Sequence, residues 1–303
     1  MAATKDRPST YLHLLEEVNQ GHVTRVPIYK RIEDKLGKNK RVIAYFASFG
    51  YLGLLDDGDA DMLEEVLQNS CLEANDEPVL VISSPGGSAV AAERIINICR
   101  SFGKKQFSVI VPKMAKSAAT MVCFGAMNIG LSTTSELGPI DPQIPVTNDK
   151  GQIIKYLAAH EIIESYNELM KKANTTHGKT DPYLQQLARY DARDIRAIRS
   201  AQDLSESIAV NSLKDGAWKK LSRTKIRQRI SPFLRPRFTT VHERPIYYTT
   251  VKKCGFDTTL HPITGDLWRA VWDLYVRLSW VVRHQTPKVI ESRDDSFVSR
   301  LNE

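Results

Sequence analysis

The stretch VLVISSPGGS, residues 79–88, decides the fold. Val79, Leu80, Val81 and Ile82 form a short apolar run rich in β-branched residues, the pattern of a strand buried on both faces. It stops abruptly at Pro85-Gly86-Gly87. Two glycines at a strand end let the backbone turn sharply and bring bare N–H groups close to a ligand. Amides held in that way can stabilise an oxyanion. By itself such a segment is also an ordinary tight turn.

The neighbouring sequence narrows the choice. Upstream, Val42-Ile43-Ala44-Tyr45-Phe46 reads as another buried strand, and residues 57–73 carry Met62, Leu63, Val66 and Leu67 at helical spacing. Downstream, an amphipathic helix over 89–101 precedes a third strand, 107–111, and 128–132 gives one more. Strands alternating with helices predict a parallel sheet with crossover helices. Thirty residues beyond Gly87 sits Lys116-Ser117-Ala118-Ala119-Thr120. A serine at a strand-to-helix junction, flanked by small residues, can project its hydroxyl where a carbonyl fits, over the positive end of a helix. The same serine also suits a plain helix cap.

The order of strand, SSPGGS, helix, strand, small-Ser-small, helix and LGPIDPQ (137–143) resembles the Clp-protease/crotonase superfamily, and within it the serine dehydrogenase proteinase family, related to signal peptide peptidase A. The resemblance implies a stacked β-β-α core of the α/β class with a C-terminal helical extension. It divides the chain into a helical lead-in (1–40), a Clp/crotonase-like serine peptidase domain (41–256), and a C-terminal helix with a flexible tail (257–303). It implies peptide-bond hydrolysis through an acyl-enzyme on Ser117, on a protein or peptide substrate. Gly87 and Ala118 match the oxyanion-hole amides. Asp141 stands where Clp proteases place their histidine, so the triad is reordered and a histidine should follow. His242 in Val241-His242-Glu243-Arg244-Pro245 resembles the family's His-containing motif. His160, which also follows Asp141, is the second candidate base.

A serine needs a base to lose its proton, and a histidine base needs a carboxylate to fix its tautomer. Other arrangements stay open. A Ser–Lys pair could draw on Lys150, Lys155 or Lys171, although their polar surroundings suit a desolvated amine poorly. Lys116 adjoins Ser117, and adjacent side chains rarely share a pocket. Ala118-Ala119 stand where the family commonly has glycines, a departure that favours a catalytically silent assembly module as the alternative. An acyl-CoA enzyme of the crotonase branch is a third reading. No metal or cofactor is implied, and a homo-oligomer is expected by fold analogy.

Composition sets outer bounds. The 303 residues are 42% apolar and 25% charged, ordinary for a globule. No stretch suits a membrane span or a secretory signal, so a cytoplasmic address is expected. Cys71, Cys99, Cys123 and Cys254 form no CxxC pair, and free thiols fit a reducing compartment. The net charge of +7 is uneven: 219–253 holds 11 Lys and Arg against Glu243 alone. That run fits an anionic partner, and fits a solvated arm or subunit contact equally, since no nucleic-acid motif accompanies it. Residues 11–19, 153–173, 183–213 and 266–282 read as helices, and the tail after Gln285 as disordered.

Overall fold

A computed structural model describes residues 21–70, 72–148, 150, 152–176, 178–234 and 245–299. The expected helix at 11–19, Cys71 and His242 lie outside them. Among the described residues a seven-stranded sheet forms the centre, with β1 (Lys40–Ala47), β2 (Glu77–Ser83), β3 (Ser108–Val111), β5 (Ile129–Leu131) and β10 (Thr258–Leu260) mutually parallel. The spatial order is β10-β5-β3-β2-β1-β11-β12. The last two, β11 (Lys288–Glu291) and β12 (Ser296–Val298), add antiparallel.

The apolar runs behave as two-sided burial requires. In β1, Ile43 and Tyr45 face one core while Val42, Ala44 and Phe46 face the other. β2 divides in the same way, Leu80 and Ile82 against Val79 and Val81. That is the pattern of a parallel sheet covered on both faces. On the first face pack α2 (Asp57–Asn69), α3 (Ala89–Ser101) and α4 (Ala118–Gly125). The second is closed by α1 (Val26–Leu36) and α11 (Asp266–His284). On α11, Trp268, Val271, Leu274, Tyr275 and Leu278 are buried beneath the sheet, while Trp272 stays exposed. Burying each large apolar side chain contributes about 1.5–3 kcal/mol.

Three expectations are corrected. Residues 153–173 do not form one helix. The first part is strand β8 (Ile153–Ala158), paired antiparallel with β7 (Gln143–Thr147), and only then does α5 (Ala159–Thr175) begin. The cause is the turn between the strands, where Asn148 Oδ1 accepts the N–H groups of Lys150 and Gln152. The stretch 183–213 is likewise broken, into α6 (Asp181–Leu187) and α7 (Ala192–Asp215). Asp191 stops the run by capping α7, its carboxylate 2.7 Å from the Arg193 N–H. Finally, residues 286–299 are not a loose tail. β11 pairs with β1 along Ala44↔Glu291 to Ala47↔Lys288, and Glu291 forms a buried ion pair with Arg25 at 2.7 Å.

The short helices α8 (Arg223–Arg229), α9 (Ser231–Leu234) and α10 (Tyr248–Cys254) close the first face. There Phe124, Phe233, Phe256 and Trp218 make a ring cluster with centroids 4.7–5.9 Å apart. Cys99, Cys123 and Cys254 are free thiols in this core, and burial pushes Cys99 up to about 12 and Cys254 to about 11. No described helix is long and apolar enough to cross a membrane.

Candidate active site

Strand β4 (Met114–Ala115) runs into Ser117, which starts α4. Ser117 has φ 47° and ψ −120°, a left-sided conformation that a non-glycine residue adopts at a cost of about 1–3 kcal/mol. Its geometry turns the chain sharply from strand to helix and leaves the hydroxyl at the helix N-terminus without a capping hydrogen bond. A cap serine spends its side chain on the helix. Ser117 does not.

The glycine turn lies against this elbow. Gly86 and Gly87 both have positive φ, 91° and 152°. A Cβ on Gly86 would fall 2.4 Å from Lys116 O, 2.7 Å from Ser117 Cβ and 2.9 Å from Ala118 N. Only glycine permits that approach. A Cβ on Gly87 would meet the backbone of Leu55 at 2.3–2.4 Å. Leu55 clamps the turn from the other side: its N–H donates to Gly86 O and its carbonyl accepts the Ser88 N–H, both at 2.8 Å. The N–H groups of Gly87 and Ala118 are used by no partner among the described residues. They can serve an incoming oxyanion.

Further along, β6 (Glu136–Leu137) pairs beside β4, with Leu137 opposite Ala115. Thr120 Oγ1 rivets the two by donating to Ala115 O at 2.8 Å and bonding the Gly138 backbone at 3.1 Å. The chain that leaves this junction reaches Asp141, which is buried. Asp141 Oδ2 accepts the His160 N–H at 3.2 Å, and Oδ1 accepts Gln202 Nε2 at 3.0 Å. His160 stands in the first turn of α5 with Nδ1 3.7 Å from Asp141 Oδ2 and Nε2 3.9 Å from Glu164 Oε2. Burial, the largest influence, raises the Asp141 carboxyl above its ordinary value, against the pull of the Gln202 and His160 hydrogen bonds.

Among the candidates, the structure brings together Ser117, Ala118, Gly86 and Gly87, and separately pairs Asp141 with His160. His160 Nδ1 is buried with no hydrogen-bond partner among the described residues. Neither Asp141 nor His160 is hydrogen-bonded to Ser117. Lys116 turns to Glu136, 3.2 Å away, in an ion pair whose geometry makes no hydrogen bond. Lys150 and Lys171 are exposed, so neither is a desolvated amine. Leu55, Thr120 and Gln202 carry no sequence signal; their roles come from distant segments folding together.

A family model described as ClpP-like SDH-type serine proteinase matches residues 14–257. The chain is similar to two uncharacterized proteins of Methanocaldococcus jannaschii, with 35% and 34% identity over 82 residues, 27% of this chain and 28% of each relative. It thus spans a little over a quarter of the length of the curated relatives it matches. Among solved structures it is similar to a mutant of the 1510-N membrane-bound stomatin-specific protease, at 15% identity and a TM-score of 0.30, over 45% of this chain and 64% of that one. With a single model running through the glycine turn, the Ser117 elbow and Asp141, the chain belongs to the ClpP-like SDH-type serine proteinase family.

Proposed function

We propose that the protein is a serine endopeptidase that cleaves peptide bonds through an acyl-enzyme on Ser117. The observation that carries this reading is the strained Ser117 elbow pressed against Gly86, with the Gly87 and Ala118 N–H groups unused beside it. In the reaction, the base takes the Ser117 Oγ proton as Oγ attacks the scissile carbonyl. The two amides hold the resulting oxyanion. The tetrahedral species collapses, and the base returns the proton to the departing amine. Water then repeats the attack on the ester, and the acid product and free Ser117 are released.

His160 is our choice of base. Asp141 already faces it, and its buried Nδ1 has an open hydrogen bond. An ionised Asp141 orients the imidazole and stabilises the imidazolium formed in each step. His242, to which the family motif points, competes for the same role. We also infer a homo-oligomer as the working unit, on fold analogy; light scattering on the purified chain measures it.

A fluorophosphonate probe, with the label located by mass spectrometry and Ser117→Ala as control, tests the reading. Modification confined to Ser117, together with cleavage of an unfolded protein substrate that Ser117→Ala abolishes, is the expected result. No labelling and no cleavage by the intact oligomer would instead mark a silent assembly module.

A further inference from the structure

Strand β11 lies beyond the residues that the family model matches, yet its first residue reaches toward the Ser117 face. Lys288 is 4% exposed. Its Nζ donates to Asp56 Oδ2 at 2.7 Å and to Asp59 Oδ2 at 2.9 Å. Asp59 is wholly buried, and the same Oδ2 accepts the Asp56 N–H at 2.8 Å and the Tyr45 hydroxyl at 2.9 Å.

Two routes lead from this knot to the glycine turn. The first is the backbone: Asp56 follows Leu55, whose N–H and carbonyl hold Gly86 O and the Ser88 N–H on either side of Gly87. The second is the sheet. Tyr45 stands opposite Ile82 in β2, two residues before Ser84, whose Oγ accepts the Gly86 N–H at 3.1 Å. Tyr45 and Ser84 are both buried, so water cannot stand in for the Tyr45–Asp59 or the Ser84–Gly86 hydrogen bond without reorganisation.

We propose that Lys288 is a positioning residue for the reaction: its ammonium locks the Leu55–Asp59 corner, and through it the Gly86–Gly87 turn that aims an amide at the oxyanion. The inference rests on the peptidase reading above. It makes a C-terminal strand outside the family match part of what holds the site in shape. A staple that merely kept the strand attached would loosen the whole C-terminal segment. A positioning residue loosens the turn.

The test uses the full chain as Lys288→Met and Tyr45→Phe, with Lys288→Arg for rescue and Arg293→Met as control. Arg293 anchors the same segment through Glu33 Oε2 at 2.9 Å, and its other ion-pair partner is Asp294. Hydrogen exchange over 84–88 and fluorophosphonate labelling, resolved into a binding constant and a maximal rate, are read on folded protein. Since losing an oxyanion donor outright costs 10²–10³ in rate, a misaimed one should lower the maximal rate about tenfold, with probe binding within about twofold of wild type. Exchange at 84–88 should quicken in Lys288→Met and Tyr45→Phe and recover partly in Lys288→Arg. Arg293→Met should leave rate and exchange as in wild type. Should Lys288→Met fail to fold, Tyr45→Phe carries the same expectation alone. Wild-type exchange and rate in folded Lys288→Met, or equal changes in Arg293→Met, would overturn the proposal. A wild-type protein that never labels would sink the peptidase reading, while the exchange comparison would still decide the positioning.

Discussion

Asp59 and Asp141 are both buried carboxylates whose pKa burial raises, yet their surroundings differ. One oxygen of Asp59 collects three donors, from Lys288, Tyr45 and the Asp56 backbone, all within 2.9 Å. Asp141 has one donor per oxygen, and the histidine beside it stands 3.7 Å off with an open ring nitrogen. Asp59 Oδ1 is itself buried without a hydrogen-bond partner among the described residues, so the knot is held at Oδ2 alone, where a buried ion pair makes removing a member costly. A histidine with an open ring nitrogen can change its bonding when substrate arrives. The first knot suits a frame and the second suits proton transfer. Both lie on segments that lead to the Ser117 elbow.

The widest separation between the two should appear in activity. Ser117→Ala should lower labelling and cleavage by about 10⁴-fold or more with its melting temperature near wild type, read by probe labelling and calorimetry. Asp141→Asn should lose about 10³–10⁴-fold in rate, because the carboxylate that fixes the imidazole's tautomer and orientation is gone. Its stability should move the other way. A raised folded-state pKa means the native chain holds that proton more tightly than the unfolded chain does. The resulting stabilisation is full below the ordinary carboxylate range and is lost as pH rises through the raised value. At pH 8 the buried charge is then a cost, so Asp141→Asn should melt no lower than wild type. A clear loss of stability in Asp141→Asn would instead make Asp141 a structural support like Asp59.

The Asp59 knot should give the reverse signature. Asp59→Ala leaves Lys288 buried without its inner partner and should lose about 3–5 kcal/mol by denaturant unfolding. Smallest of all is the strain at the elbow. Ser117→Gly frees a φ of 47° but adds unfolded-state entropy, so a net gain of about 1 kcal/mol over Ser117→Ala is expected by the same unfolding measurement.

Much of this was legible in the sequence for physical reasons. Two-sided burial writes itself as continuous apolar runs, so Val42 to Phe46 and Val79 to Ile82 announce strands whatever lies around them. The glycine turn is legible because only a residue without a Cβ fits where Gly86 touches Lys116 and Ser117. Features made by pairing across long separations were not legible. Lys288 to Glu291 is too short to declare itself, and its partner β1 lies more than 240 residues earlier. The hairpin of β7 and β8 was masked by Ile153, Tyr156 and Leu157, whose spacing runs smoothly into α5. The His160–Asp141 pairing depends on that hairpin, which returns the chain so that the Ala159 N–H bonds Pro142 O at 2.9 Å and His160 meets the preceding carboxylate. Gln202, on a polar helix, had nothing to mark it.

The most direct test compares the labelling rates of His160→Ala and His242→Ala across pH 5 to 9, with the probe located on Ser117. His160→Ala should lower the rate by about 10³-fold or more and flatten its pH dependence, while His242→Ala should stay within about tenfold of wild type. Full labelling in His160→Ala would contradict this and leave Asp141 facing a histidine that takes no part in the reaction.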